Sequence, residues 1–308
     1  MKLIHNLVVA AIMSSLTASV TAAEIDIYGK ANLTVQSSDE GDGSFTEVKS
    51  NASRIGFKGT YDLGDGIDVI FKAEFQVDLD GDSAKGDSIT DRNQYIGLRG
   101  AFGEVLLGKN DTMLKQSQGK VDLFSDLNGD IKSLWKGENR MADTISYKSP
   151  ALSGLQLGVT YVAEDSLDGE DATSIALFYG DKELKKSPLF ASIAIDTEMK
   201  GYDAKRATIS GKLAGVILGA ILHTQEKLSN GEELDGLLIS AKYGFDKITV
   251  KGQFQTASVD GGDDKSGFTL GADYKLAKST RLFTFFTSFD MDSGSEEEYL
   301  GAGIEYKF

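Results

Sequence analysis

The sequence predicts an all-β protein: a membrane-spanning antiparallel up-and-down β-barrel of 16 strands, with a long third loop folded into the lumen. Three observations predict it. Apolar and polar residues alternate along one segment after another, each closed by a turn. The connections between segments are alternately long and acidic, then short. After the N-terminal leader the rhythm fails for one long interval, Lys109–Ala142, 34 residues that cannot be read as a strand.

Residues 1–23 read as a secretory signal peptide. Lys2 supplies the positive start, Leu7–Val20 the apolar run, and Thr21-Ala22-Ala23 a small-residue cleavage site. Interrupted by Ser14, Ser15 and Thr17, the run is too short for a spanning helix, which takes about 20 apolar residues. The barrel is therefore expected over 24–308. In its first strand, Ile25, Ile27, Gly29, Ala31, Leu33 and Val35 share one face. Asp26, Tyr28, Lys30, Asn32, Thr34 and Gln36 share the other. The second strand, through Val48–Tyr61, sets Ile55, Phe57, Gly59 and Tyr61 opposite Arg54, Gly56, Lys58 and Thr60. The third alternates Ile67, Val69, Phe71, Ala73, Phe75 and Val77 with Asp68, Lys72, Glu74 and Gln76.

Further strands are expected near 91–100, 104–109, 143–150, 155–163, 172–180, 188–197, 203–213 and 216–225. The last five are expected near 235–243, 247–257, 266–275, 280–289 and 298–308. Long links such as Glu164–Asp171 and Asp290–Glu298 are acidic, whereas Asp62–Gly66, Ala101–Gly103 and Ala214–Gly215 are tight. Outer-membrane barrels have this asymmetry of outer loops and periplasmic turns. Tyr61, Tyr147, Tyr179, Tyr243, Tyr274 and Tyr306 recur at the apolar-face ends of six strands, as an interfacial girdle would. The opposite faces are polar throughout. A sandwich would bury apolar inner faces, so these polar faces must surround water and the apolar ones must meet lipid.

Composition narrows the partners. The chain has a formal charge of −15, and removing the signal, whose one Lys or Arg is Lys2, lowers it by one more. That argues against nucleic acid, which needs a basic surface. No Cys is present, so disulfides are excluded and stability must come from strand pairing and burial. Beyond the signal, His223 is the one histidine, too little for a metal site or a hydrolase triad without well-placed partners. No catalytic residue, metal or cofactor is expected. Within the long loop, Phe124, Ile131, Leu134 and Trp135 argue for a folded segment rather than a disordered one.

Asp26–Leu33 (DIYGKANL), Ser53–Gly59 (SRIGFKG), Tyr95–Lys109 (YIGLRGAFGEVLLGK), Ile145–Leu157 (ISYKSPALSGLQL) and Tyr299–Phe308 (YLGAGIEYKF) stand in an order and spacing that resemble the Gram-negative general diffusion porins. The resemblance covers the whole mature chain. It implies a 16-stranded, trimeric barrel in the outer membrane of a Gram-negative bacterium, among lipid and lipopolysaccharide. It implies a passive channel for small hydrophilic solutes and ions, narrowed by the third loop. It also implies a basic wall facing acids on that loop. Residue by residue, the wall falls on Lys30, Arg54, Lys109 and Lys148, and the candidate acids are Asp122, Asp126 and Asp130. Alternation independently sets Lys30, Arg54 and Lys148 on the polar phase; Lys109 is off phase, and its direction is open. The familiar Pro-Glu-Phe-Gly-Gly turn is missing from the loop. Alternative readings are a solute-specific channel, or a surface receptor or adhesin that uses the acidic loops with the barrel as anchor. The balance of an acidic rim against the basic wall leads us to expect weak selectivity tilted toward cations. Gly29 and Ala31 give the first strand a low outer profile suited to a neighbouring subunit.

Overall fold

Alternation becomes a closed sheet in the computed structural model, which describes residues 24–81, 86–164, 170–291 and 295–308. The expected signal peptide lies outside the described residues. The strands are β1 (Glu24–Asp39), β2 (Ser44–Ser50), β3 (Arg54–Asp62), β4 (Asp68–Val77), β5 (Ile89–Gly100) and β6 (Gly103–Asp111). After the long loop come β7 (Arg140–Lys148), β8 (Leu155–Val162), β9 (Ala172–Gly180), β10 (Leu189–Met199), β11 (Tyr202–Leu213) and β12 (Val216–Lys227). The last are β13 (Glu232–Phe245), β14 (Ile248–Val259), β15 (Lys265–Lys275), β16 (Thr280–Asp290) and β17 (Glu296–Lys307). From β3 onward each strand pairs antiparallel with the next, and β1 pairs with β17 to close the ring. Both β2 and β3 pair with β1, so the 17 segments make 16 staves. Closure leaves no free edge, the condition for a sheet to cross a membrane.

Period two now reads as inside and outside. Ile25, Ile27, Ile193, Leu222 and Leu300 are all about 60% exposed, whereas Thr34, Gln36, Thr160, Ser174 and Thr287 are sealed. An apolar exterior around a polar interior suits hydrocarbon, not water. Tyr179, Tyr243, Tyr274 and Tyr306 are exposed beside the short turns, and Tyr61 and Tyr147 are half-buried there. At the seam, Phe308 exchanges backbone hydrogen bonds with Gly29, and a Cβ on Gly29 would lie 2.3 Å from its ring. The low profile at Gly29 is thus filled by the chain's own C-terminus rather than left for a neighbour.

Alternation alone runs one strand through Val48–Tyr61, but the structure breaks it at Asn51–Ser53. Leu33 faces Ser50 while Lys30 faces Arg54, so one extra residue sits on the second stave. Ser53 Oγ accepts from Asn32 N–H, and Asn51 N–H donates to Asn32 O, in place of the regular ladder. A bulge of this kind reverses the inside–outside phase of the strand beyond it. It moves the outward residues from Val48 to Ile55 and Phe57, and it turns Arg54 inward beside Lys30. A second bulge in β5 sets Arg92 and Asn93 together against Glu74, and a third lies where β7 leaves the long loop.

Candidate functional site

The long loop is seated on the polar phase of the wall. It opens with helix α1 (Met113–Ser117), capped by Thr112, whose side chain accepts from Lys115 N–H. Lower down, Asp130 caps a single 3-10 turn, Ile131–Ser133, by accepting from Lys132 N–H. The apolar loop side chains drop into places where the wall has glycine. A Cβ on Gly158 would come 2.6 Å from Met113 Sδ; on Gly219, 2.7 Å from Val121; on Gly271, 2.8 Å from Phe124; on Gly236, 2.3 Å from Trp135. Wall side chains also satisfy the loop backbone. Ser192 donates to Ser117 O, Ser240 to Val121 O and Gln253 to Gly129 O, while Ser174 accepts from Leu114 N–H. The Trp135 indole donates to Thr256 O at 2.8 Å. Met113, Leu114, Phe124, Ile131 and Trp135 are almost wholly buried as a result.

One acid of the three expected reaches the basic wall. Asp126 accepts from Lys30 Nζ at 2.8 Å and from Arg54 Nη2 at 3.0 Å, across sequence gaps of 96 and 72 residues. Its backbone is left-handed, φ 72°, held by a hydrogen bond from Asp126 N–H to Asp130 Oδ2. Burial alone would raise its carboxyl, but the Lys30 and Arg54 charges win and hold it at about 2. Asp122 and Asp130 do different work. Asp122 accepts from the backbone N–H groups of Phe124 and Ile131, so it ties the loop to itself. Burial, with the Asp130 charge second, pushes its carboxyl well up. Asp130 caps the 3-10 turn and pairs with Lys132 at 3.2 Å.

Lys30 and Arg54 are therefore brought together, and Lys109 and Lys148 are not brought to them. Lys109 stands opposite Gln94, on the outward phase of Leu107 and Val105. Lys148 points inward but hydrogen-bonds Gln116 of α1, with its ammonium 5.7 Å from the Phe178 ring.

Sequence reasoning missed the rest of the charged wall. Glu74 accepts from Tyr28 at 2.8 Å and Arg92 at 2.7 Å, and pairs with Lys72. Arg140 pairs with Asp111 at 3.0 Å. Asp273 holds Lys251 and Arg281, and Glu305 holds Arg281 and Lys307. Lys251 and Glu305 were readable from alternation. Arg281 was not, because the Phe283–Phe286 run is apolar on both faces, nor was Arg92, which sits in a bulge. On the far side Glu138, near the loop's end, pairs with buried Arg206 at 2.7 Å, and burial pushes its carboxyl up despite that partner. His223 is buried beside Arg206 and stacks on Trp135, 5.1 Å between centroids.

Between loop and charged wall lies an open cavity of about 840 Å³, lined by Lys30, Arg54, Arg92, Asp126, Arg281 and their neighbours. Fold and site define a membrane-type barrel with a wet, charged lumen crossed by a folded loop. Residues 8–294 match the family described as Gram-negative porin, and the chain belongs to that family. It is 30% identical over 169 residues to the major outer membrane protein P.IB of Neisseria meningitidis serogroup A, covering 49% of this chain and 48% of that one. The chain thus spans about half the length of this relative. It is 23% identical over 341 residues to the monosaccharide porin of a Halomonas species, covering 92% of each. The anion-selective porin of Comamonas acidovorans shares the fold at a TM-score of 0.75 and 19% identity, covering 93% of this chain and 100% of that one.

Proposed function

We propose that the protein is a passive, water-filled outer-membrane channel for small hydrophilic solutes and ions, and not an enzyme. The observation that carries the reading is the salt bridge of Asp126 with Lys30 and Arg54 at the edge of an open cavity. A loop fixed to one wall and bonded to the other leaves a restricted passage, so size is set by the loop and charge preference by the lining. The lining changes the expected selectivity. Eleven Lys and Arg against six Asp and Glu line the main cavity, although the chain as a whole is acidic. Field at the narrow point, beside low-dielectric walls, outweighs charge at the screened outer rim. The preference is for anions, weakly, in place of the cation tilt that net charge suggests.

Family membership supports assembly as a homotrimer, with outer-membrane lipid and lipopolysaccharide against the apolar exterior. Light scattering in mild detergent tests the trimer; a monomer that conducts would overturn it. Single-channel recording in a planar bilayer tests the channel. Steady ohmic openings support it, and a purified trimer that inserts without conductance would leave the receptor reading in its place.

A further inference from the structure

Facing like charges are costly in an antiparallel sheet, where directly opposite side chains stand about 5 Å apart. One arc of this wall repeats that arrangement. Lys242 of β13 faces Lys251 of β14. Lys275 of β15 faces Arg281 of β16. Lys30 of β1 faces Lys307 of β17 on one side and Arg54 of β3 on the other. Three carboxylates serve these seven cations: Asp273, Glu305 and Asp126. Lys242 and Lys275 form no ion pair among the described residues, nor do Lys247 and Lys278 in the adjoining short turns. Strands β13–β17 and the underside of the loop, from Lys120 to Ser125, enclose a cavity of about 580 Å³ beside those turns.

Sequence and structure conflict here, and such conflicts concentrate at functional sites. Adding anionic groups between the facing cations turns each repulsion into attraction. The cations do not converge on one point. From β13 to β17 they are spread over four strand spacings, about 19 Å along the wall. A single phosphate or carboxylate would meet one facing pair. A chain of charged groups would meet several.

We propose that this arc is a binding site for linear oligophosphates, multivalent oxyanions that reach it from the short-turn side. The site rests on the channel reading and adds a solute class to it. A bound chain would lie along Lys242, Lys251, Lys275, Arg281 and Lys307 below the loop, with the loop and Asp126 between it and the outer mouth. A polyanion arriving from the other side must first pass the narrow point beside the loop, where the cations Lys30 and Arg54 are already paired with Asp126. Binding is therefore sided.

The test is block of potassium chloride current through the full-length mature protein by sodium tripolyphosphate. It is run at about 0.1 M salt, where the screening length is about 10 Å. Because the chain has no cysteine, a Glu40→Cys label in the β1–β2 connection, on the long-loop side, modified by an impermeant thiol reagent, reports which mouth faces which chamber. Half-block is expected at roughly tenfold lower concentration from the short-turn side than from the long-loop side, with orthophosphate much weaker on both. Lys242→Gln with Lys275→Gln should remove the sidedness, and the Arg pair at the same positions should keep it. Equal block from both sides overturns the proposal, as does a Gln pair blocked at the parent's concentration and side. Absence of current from the parent would count against the channel itself, whereas a conducting, unblocked parent sinks this site alone.

Discussion

The two halves of the interior wall are both polar in sequence, yet they carry different residues for different partners. Along β8–β13 many of the inward positions that face the loop are small, among them Gly158, Ala176, Ser192, Gly219, Gly236 and Ser240, with Arg206 and His223 as long, buried exceptions. They accept the loop's apolar side chains and hydrogen-bond its backbone, and almost nothing of that arc meets solvent. Toward the short turns of β14–β17, and along β1–β5, long ionised inward residues such as Lys251, Arg281, Glu305, Lys30, Arg54 and Arg92 line the open cavity, while Gln253, Gly271 and Phe285 further along still hold the loop. A lumen-facing phase is therefore not one environment. Where polar residues are hydroxyls and glycines, the missing volume is a seat. Where they are Lys, Arg and Glu, the partner is water and solute.

Removing the seated part gives the largest expected effect. Deleting Gly119–Lys136 should raise single-channel conductance by about twofold or more and admit larger sugars in liposome swelling, since closure of the barrel does not depend on the loop. Unchanged conductance would place the loop outside the conducting path.

Filling one socket should act more gently on the same half. Gly236→Leu puts side-chain atoms where the Trp135 indole lies, and overpacking of this kind costs about 1–3 kcal/mol. Trp135 is the only tryptophan, so its expulsion should appear as a red-shifted emission and as trypsin cleavage after Lys132 or Lys136. Native emission and protease resistance would mean that the socket does not hold the loop.

Acid should act on the opposite half. Asp126 is held at about 2, below the ordinary aspartate value near 3.9. A depressed carboxyl stabilises the folded loop fully above the unfolded value, and that contribution is lost as pH falls toward the folded one. The difference in reversal potential between the parent and Asp126→Asn should therefore stay constant from pH 8 to about 4, then vanish between about 4 and 2, whatever Asp122 and Glu138 add to both at higher pH. A difference that collapses near pH 6 would assign the loop contact to another group.

Much of this contrast was legible beforehand. Alternation gave the closed barrel, the inward Lys30, Arg54 and Lys148, and the loop's place, because period two maps directly onto inside and outside. It could not separate seat from cavity. Lys148 and Lys30 look alike in sequence, but Lys148 lies on the arc that α1 covers. Nor could it rank three loop carboxylates. Asp122 and Asp130 are consumed by backbone donors nearby, and the left-handed turn that aims Asp126 outward from the loop is a tertiary outcome. Bulges hid the rest: one extra residue at Asn51–Ser53 and one at Arg92–Asn93 shift phase without any mark in the hydrophobic pattern.

Reversal potentials in a roughly tenfold gradient of dilute potassium chloride address the central claim, that Asp126 against Lys30 and Arg54 sets the field of the passage. Arg54→Gln should move the potential toward cations, Asp126→Asn toward anions, and Lys148→Gln by much less than either. Screening should flatten all three shifts near 1 M salt, where the screening length is about 3 Å. Equal shifts for Arg54→Gln and Lys148→Gln, or a parent potential in the Asp126→Asn variant, would contradict the account.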